Sequence, residues 1–174
     1  MILILKNNAG MLIGALVAVI LQALVAPYIT IGYAMLNLIM CYVILMAIIR
    51  ADKQGYIMPF VLGLCYDLMS SGTVGAMAFI CVVLTFVISR IYSMLANDTM
   101  LIPVVLITLG CFVGELIYGC LLIVCGLDVS LPEALLYRML PCGLYDTVVS
   151  LVAYVLIVRF VFSARSTDTM QVIR

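Results

Sequence analysis

The chain has 174 residues, of which 68% are hydrophobic and 9% are charged; its formal net charge is zero and it contains no histidine. A soluble domain carries about 25% charged residues, so the composition excludes an ordinary soluble protein and predicts one membrane domain over residues 1–174. A chain with no net positive charge and no basic cluster has no electrostatic basis for binding nucleic acid. Without histidine, the usual general base and the commonest metal ligand are missing. We therefore expect a protein that is not an enzyme and holds no metal or cofactor.

Apolar runs separated by short polar breaks predict an all-α integral membrane protein with six transmembrane helices. The predicted spans cover about residues 9–28, 31–49, 54–70, 73–95, 100–125 and 141–162. The third span holds about 17 residues, which at 1.5 Å per residue is short for a hydrocarbon core of about 30 Å. We expect its last turn to lie below the outer surface, covered by protein.

The segment 131–140 differs from the spans on either side of it. Pro132 suits the first turn of a helix, and Glu133 and Arg138 interrupt an otherwise apolar stretch. Tyr137 is a typical anchor at a membrane interface. The segment predicts a short helix lying on the outer interface before the last span.

The basic residues are divided unevenly between the two sides of the membrane. If both termini are cytoplasmic, seven of the eight lysines and arginines lie inside and Arg138 alone lies outside. The seven inner residues are Lys6, Arg50, Lys53, Arg90, Arg159, Arg165 and Arg174. Because basic residues concentrate on the cytoplasmic side, this division predicts cytoplasmic termini and an even number of spans.

The same topology collects acidic residues in the outer half of the protein, namely Asp67, Glu115, Asp128, Glu133 and Asp146. A carboxylate inside a bilayer costs on the order of 2.5–3.5 kcal/mol unless it finds a partner. Three interpretations are open for Asp67 and Asp146. They could cap helix ends, with Ser70 and Ser71 within reach of Asp67; they could line an outward-facing pocket that holds a cation, a ligand or Arg138; or they could relay protons.

Two short motifs resemble those of the bacterial rod shape-determining protein MreD family. The first is Gly63-Leu64-Cys65-Tyr66-Asp67 followed by Gly75-Ala76-Met77-Ala78-Phe79, where the family typically has Gly-Leu-x-x-Asp and then Gly-x-x-Ala opening the next span. The second is Pro141-Cys142-Gly143-Leu144-Tyr145-Asp146 at the start of the last span. The family more often has asparagine after this tyrosine, so the resemblance implies no role for Asp146.

The resemblance implies a non-enzymatic component of the cell-elongation machinery in the bacterial cytoplasmic membrane. It would associate with MreC, and through the complex with MreB and the cell-wall synthases, and so influence peptidoglycan synthesis and cell shape. The expected structural or partner-contact residues are Gly63, Asp67, Gly75, Glu115, Arg138, Pro141, Tyr145 and Asp146.

The family's fold is similar to that of the substrate-binding S component of ECF-type vitamin transporters, and this similarity supplies an alternative function. An S component would hold a small molecule in an outer pocket. It would also need a coupling face of small residues, for which Gly10, Gly14 and Ala18 in the first span are candidates.

Overall fold

The computed structural model describes residues 8–30, 35–51, 55–70, 72–95, 101–126 and 131–171; most of these are helical, and no strand occurs among them. The α-helices are α1 (Asn8–Leu24), α2 (Leu38–Ile49), α3 (Ile57–Met69), α4 (Ala76–Leu95), α5 (Leu101–Val124), α6 (Leu131–Ala134) and α7 (Leu140–Gln171). A 3-10 turn, Ala26–Tyr28, follows α1, and a π-helical turn, Leu135–Met139, joins α6 to α7. The prediction of an all-α membrane protein is confirmed. Several residues named above, among them Lys6, Lys53, Ser71, Asp128 and Arg174, lie outside the described ranges.

Four helical stretches within the described residues are long and apolar enough to cross a bilayer: Ala9–Tyr28, Ala76–Leu95, Leu101–Val124 and Pro132–Arg159. The other two helices are shorter than the predicted second and third spans. α2 has 12 residues and α3 has 13, or roughly 18 and 20 Å at 1.5 Å per residue. Six helices therefore match the six predicted spans in order, but two of them do not reach across a hydrocarbon core of about 30 Å.

The short helix α2 forms the centre of the bundle. Nine of its 12 residues are buried, and it contacts α1, α3, α4, α5 and α7. It is apolar on all sides, as expected for a helix enclosed by protein. Its length is tolerated because neighbouring helices, rather than lipid, surround it.

Successive helices run in alternating directions. Gln22, near the end of α1, bonds to Leu36 and Leu38 at the start of α2, whereas Met11, near the start of α1, contacts Arg50 just after α2. Contacts between later helices agree: Asp67 with Met77, Met40 beside Gly114, and Cys111 with Ser150. The ends of α1, α3 and α5 therefore meet the starts of α2, α4 and α7 at one end of the bundle.

The second span was predicted to start at residue 31, but Met35–Asn37 are not helical. The physical reason is that polar contacts hold this strip in another conformation. The side-chain amide of Gln22 donates to the Leu36 carbonyl, and the side-chain oxygen of Asn37 accepts from the Met40 N–H as an N-cap. α2 therefore begins at Leu38, inside the protein.

The predicted separate helix at 131–140 is instead the beginning of a helical stretch that continues into the last span. Pro141 has no N–H and would interrupt a regular α-helix. The π-helical turn immediately before it, in which the Leu140 N–H donates to the Leu135 carbonyl, inserts an extra residue into the helix. Such π-bulges let a helix pass an interruption without ending, so α6 and α7 remain connected.

Candidate functional site

The carboxylate of Asp67 caps the start of α4. Asp67 is fully buried near the end of α3, and its oxygens accept main-chain N–H bonds from Gly75 at 2.8 Å, Met77 at 3.1 Å and Ala78 at 3.2 Å. The first N–H groups of a helix have no partner within the helix and carry a positive partial charge. Asp67 therefore supplies both the missing acceptors and a favourable negative charge.

Two glycines make this cap possible. An added Cβ on Gly63 would lie 2.5 Å from the Cα of Ala78 and 2.6 Å from the carbonyl oxygen of Met77, both main-chain atoms. Only glycine permits α3 and α4 to approach so closely at this level. Gly75 has φ +101°, a backbone conformation that residues with a Cβ rarely adopt. Gly63, Asp67 and Gly75 thus form one structural unit, which we call the α3–α4 clasp.

The start of α2 is held by side chains from two other helices. The carbonyl oxygen of the Gln22 side chain accepts the Leu38 N–H at 2.7 Å, while its amide donates to the Leu36 carbonyl at 3.1 Å. From α7, one carboxylate oxygen of Asp146 accepts the main-chain N–H of Asn37 at 2.8 Å. The main-chain N–H groups of Asn37 and Leu38 thus both find side-chain acceptors inside the bundle.

The other carboxylate oxygen of Asp146 is different, because it is buried and has no hydrogen-bond partner. A carboxylate oxygen left unpaired in a protein interior is unfavourable. Glu115 also acts on Asp146 electrostatically, so a second acid adds to the cost of a charge here. Asp146 therefore holds α2 in place through one oxygen while the other destabilises the site.

Exchange of Asp146 for asparagine should raise the melting temperature of the detergent-solubilised protein by about 2–4 °C, equivalent to about 1 kcal/mol. Asparagine keeps an oxygen for the Asn37 N–H and removes the buried charge. Asp146→Leu leaves that N–H without an acceptor and should cost about 1–3 kcal/mol. Thermal unfolding by intrinsic tyrosine fluorescence compares the variants, with Asp168→Asn as control. An asparagine variant less stable than the leucine variant would contradict this account.

A cavity of about 1060 Å³ opens at the same end of the bundle. Its walls come from α1, the segment before α2, α3, α5, α6, the π-helical turn and α7. The polar residues on its lining are Gln22, Ser70, Glu115, Glu133 and Arg138, and the remaining lining includes apolar and tyrosine side chains. We call this space the terminal cavity.

Among the described charged residues that line the terminal cavity, Glu115 and Arg138 are the more buried ones. Glu115 is 5% exposed. The Asn37 side chain is hydrogen-bonded to it, and the Arg138 guanidinium acts on its charge through space. Arg138 lies over the ring of Tyr118, 5.8 Å from the ring centroid, an arrangement typical of cation–π contact. Between these two described side chains there is no ion pair within 4.0 Å.

Two further predicted residues have architectural positions. The hydroxyl of Tyr145 donates to the carbonyl of Ile29 at 3.0 Å, which ties the first turns of α7 to the segment after α1. Pro141 follows the π-helical turn described above. Neither residue lines the terminal cavity as the structure describes it.

The geometry separates interpretations that the sequence left open. The Asp67 and Asp146 carboxylates both bond the start of another helix. Their geometry therefore favours capping over a proton relay. Ser70 donates to the main-chain carbonyl of Asp67 rather than to its carboxylate. The pocket interpretation fits a different pair, Glu115 and Arg138, which share the terminal cavity.

Sequence reasoning missed two residues that organise this end of the bundle. Asn37 precedes an apolar run and is a favoured N-cap residue, so the start of α2 could have been placed there. Gln22 carries a weaker signal, a polar side chain within the first span. Its partners lie 14 and 16 residues away, and no local pattern reveals them.

A comparison with protein-family models matches residues 6–163 to the rod shape-determining protein MreD. The chain belongs to the MreD family. The match covers nearly the whole chain, including the α3–α4 clasp and the motif at the start of α7. Neither the curated proteins nor the solved structures include a match to this chain. Membership of the MreD family makes it a membrane component of rod shape determination, and the family is not one of known enzymes.

Proposed function

We propose that this MreD-family protein is a non-enzymatic component of the cell-elongation complex in the bacterial cytoplasmic membrane. It forms a single membrane domain that contacts MreC directly, and through the complex it acts with MreB and the cell-wall synthases. Its effect is to organise peptidoglycan synthesis and so maintain cell shape. The observation that carries the proposal is the family match over residues 6–163.

The way the protein uses its buried polar groups supports a scaffolding role. Asp67, Asn37 and Gln22 are all 2% exposed or less, and each bonds the main chain at a helix start. Such contacts fix the relative positions of helices. A protein that holds partners in a membrane complex needs that rigidity.

The charge distribution supports cytoplasmic termini. Arg50 follows the end of α2, and Met11 near the start of α1 lies beside it, so α1 begins at the end of the bundle opposite the terminal cavity. α7 starts at the cavity and runs away from it. Because basic residues favour the cytoplasm, we infer that both termini lie inside the cell and that the terminal cavity faces outward.

The S-component alternative has one observation in its favour, the terminal cavity. Its coupling face is less well supported. A Cβ on Gly14 would lie 2.9 Å from the hydroxyl oxygen of Tyr42 on α2, and Gly10 and Ala18 are buried. These small residues face the interior of the bundle, so they do not offer a free surface to a transporter subunit.

The direct test is co-purification with MreC from the same genome. The protein carries green fluorescent protein after Arg174, which fluoresces only if that terminus is cytoplasmic, and the complex is captured in mild detergent. We expect MreC in near-equal amount and fluorescent cells. An unrelated six-helix membrane protein with the same tag controls for nonspecific capture.

The same fusion should restore rod shape to cells depleted of their own MreD-family protein, measured as the ratio of cell length to width. A well-folded fusion that retains no MreC and leaves cells round would overturn the proposal. Capture of an ATP-binding cassette ATPase with its membrane coupling subunit would favour the transporter alternative.

A further inference from the structure

The terminal cavity contains two opposite charges that do not neutralise each other by direct contact. Glu115 is only 5% exposed, and Arg138 is partly buried with its guanidinium over the ring of Tyr118. The two act on each other electrostatically, yet no ion pair within 4.0 Å joins these described residues. A carboxylate and a guanidinium are thus presented to the same space.

The other buried polar groups at this end are already engaged. Both ends of the Gln22 amide bond the main chain of the segment that opens α2. Asp67 is occupied by the start of α4. Asp146 bonds Asn37 through one oxygen only, but it does not line the cavity. Of the described charged side chains that line the terminal cavity, Glu133 is exposed, so recognition of charge deeper inside falls to Glu115 and Arg138.

The rest of the wall suits an apolar body. Ala23, Pro27 and Met35 contribute one side, and Tyr66 and Met69 contribute another. Small-molecule sites are typically about 300–1,000 Å³, mostly apolar, with a few placed polar groups. At about 1060 Å³, the terminal cavity is large enough for a polar head and part of an attached chain.

We propose that the terminal cavity binds a zwitterionic amphiphile, a molecule with a primary ammonium group and an anionic phosphate or carboxylate beside an apolar body. The ammonium N–H groups bond the Glu115 carboxylate, and the anionic oxygens bond the Arg138 guanidinium. Both bonds are charge-assisted, the stronger class of hydrogen bond. The two sources of this chemistry are an ethanolamine phospholipid and a free zwitterion of the same headgroup.

The first test compares two short-chain lipids on the detergent-purified protein by native mass spectrometry. Dihexanoyl phosphatidylethanolamine and dihexanoyl phosphatidylcholine share phosphate and chains, but the choline nitrogen has no N–H to donate. We expect the ethanolamine lipid to bind about tenfold more tightly, which corresponds to about 1.4 kcal/mol. Equal affinity for the two lipids, or no binding of either, would overturn the proposal.

The two charged residues should have separable effects. Glu115→Gln should abolish the preference for ethanolamine over choline, because the carboxylate is the acceptor for the ammonium. Arg138→Gln should weaken both lipids by about tenfold, because both carry the phosphate. The control for Arg138 is Arg90→Gln, an exposed residue of α4. The control for Glu115 is Asp168→Asn. Asp168 lies 26 positions, or roughly 39 Å, along α7 from Cys142 on the cavity lining. Both control variants should bind the lipids like the original protein.

Folding does not confound the test, since the melting temperature of each variant is recorded in the same detergent. If Glu115→Gln does not fold, the lipid comparison on the unmodified protein and the Arg138→Gln variant still decide the matter.

Competition with free phosphoethanolamine identifies the source of the ligand. Displacement of the lipid by millimolar phosphoethanolamine shows that the headgroup suffices, whereas lipid binding without displacement assigns the site to the phospholipid. The inference is independent of MreC, so its failure would leave the proposed function standing.

Discussion

Replacement of Asp67 by alanine should lower the free energy of unfolding by about 3 kcal/mol or more. Three main-chain N–H groups at the start of α4 lose their acceptor at once, and each buried donor without a partner costs about 1–3 kcal/mol. Asp67→Asn should be intermediate. One amide oxygen can still accept N–H bonds, but the amide nitrogen cannot, and the favourable charge at the helix start is lost.

Thermal unfolding in detergent and the yield of monodisperse protein measure this effect. Asp168→Ala is the control, because it removes a carboxylate beyond residues 6–163, the range that matches the family. The expected order of stability is original protein, asparagine variant, alanine variant. An alanine variant that melts with the original protein would show that the α3–α4 clasp is not what holds these helices together.

Exchange of Gly63 for alanine should be nearly as damaging, although it adds only one methyl group. That methyl would have to occupy space now held by the main chain of Met77 and Ala78. Main-chain atoms cannot rotate away as a side chain can, so α3 and α4 must separate. Overpacking of this kind typically costs about 1–3 kcal/mol and occasionally more. We expect a value at or above the upper figure, because the separation also lengthens the Asp67 hydrogen bonds.

Gly55→Ala supplies the matched control. A Cβ at Gly55 meets nothing within 4 Å, so the same chemical change should alter stability by no more than about 0.5 kcal/mol. Denaturant titration in detergent of the two variants isolates the effect of position from that of composition. Similar stability losses for Gly55→Ala and Gly63→Ala would mean that close approach of the helices is not the reason for the glycine.

The sequence predicts the helical architecture well because long apolar runs have few alternatives in a membrane. The family resemblance singles out Gly63 and Asp67 as structural or partner-contact residues, but it does not predict which groups Asp67 bonds. From spacing along the chain, Ser70, three positions away, is the expected partner. The carboxylate instead bonds the main chain of Gly75 and Met77, eight and ten positions away. These partners depend on how the turn between α3 and α4 folds.

Contacts between distant helices could not be predicted from a single sequence. Asn37 and Asp146 are 109 positions apart, and neither residue has a local feature that selects the other. The terminal cavity likewise depends on how α1, α3, α5 and α7 pack. For Glu115 and Arg138, charge topology predicted a common side of the protein, and only the packing shows that they share a cavity with no ion pair within 4.0 Å between them.

The α3–α4 clasp has a consequence for how the chain enters the membrane during synthesis. α3 alone is a poor candidate for independent insertion, since it has 13 residues, too few to cross the hydrocarbon core, and carries an acid near its end. The groups that neutralise that acid's cost belong to the beginning of α4. We therefore expect α3 and α4 to enter the lipid together, as a helical hairpin in which the acid is already capped.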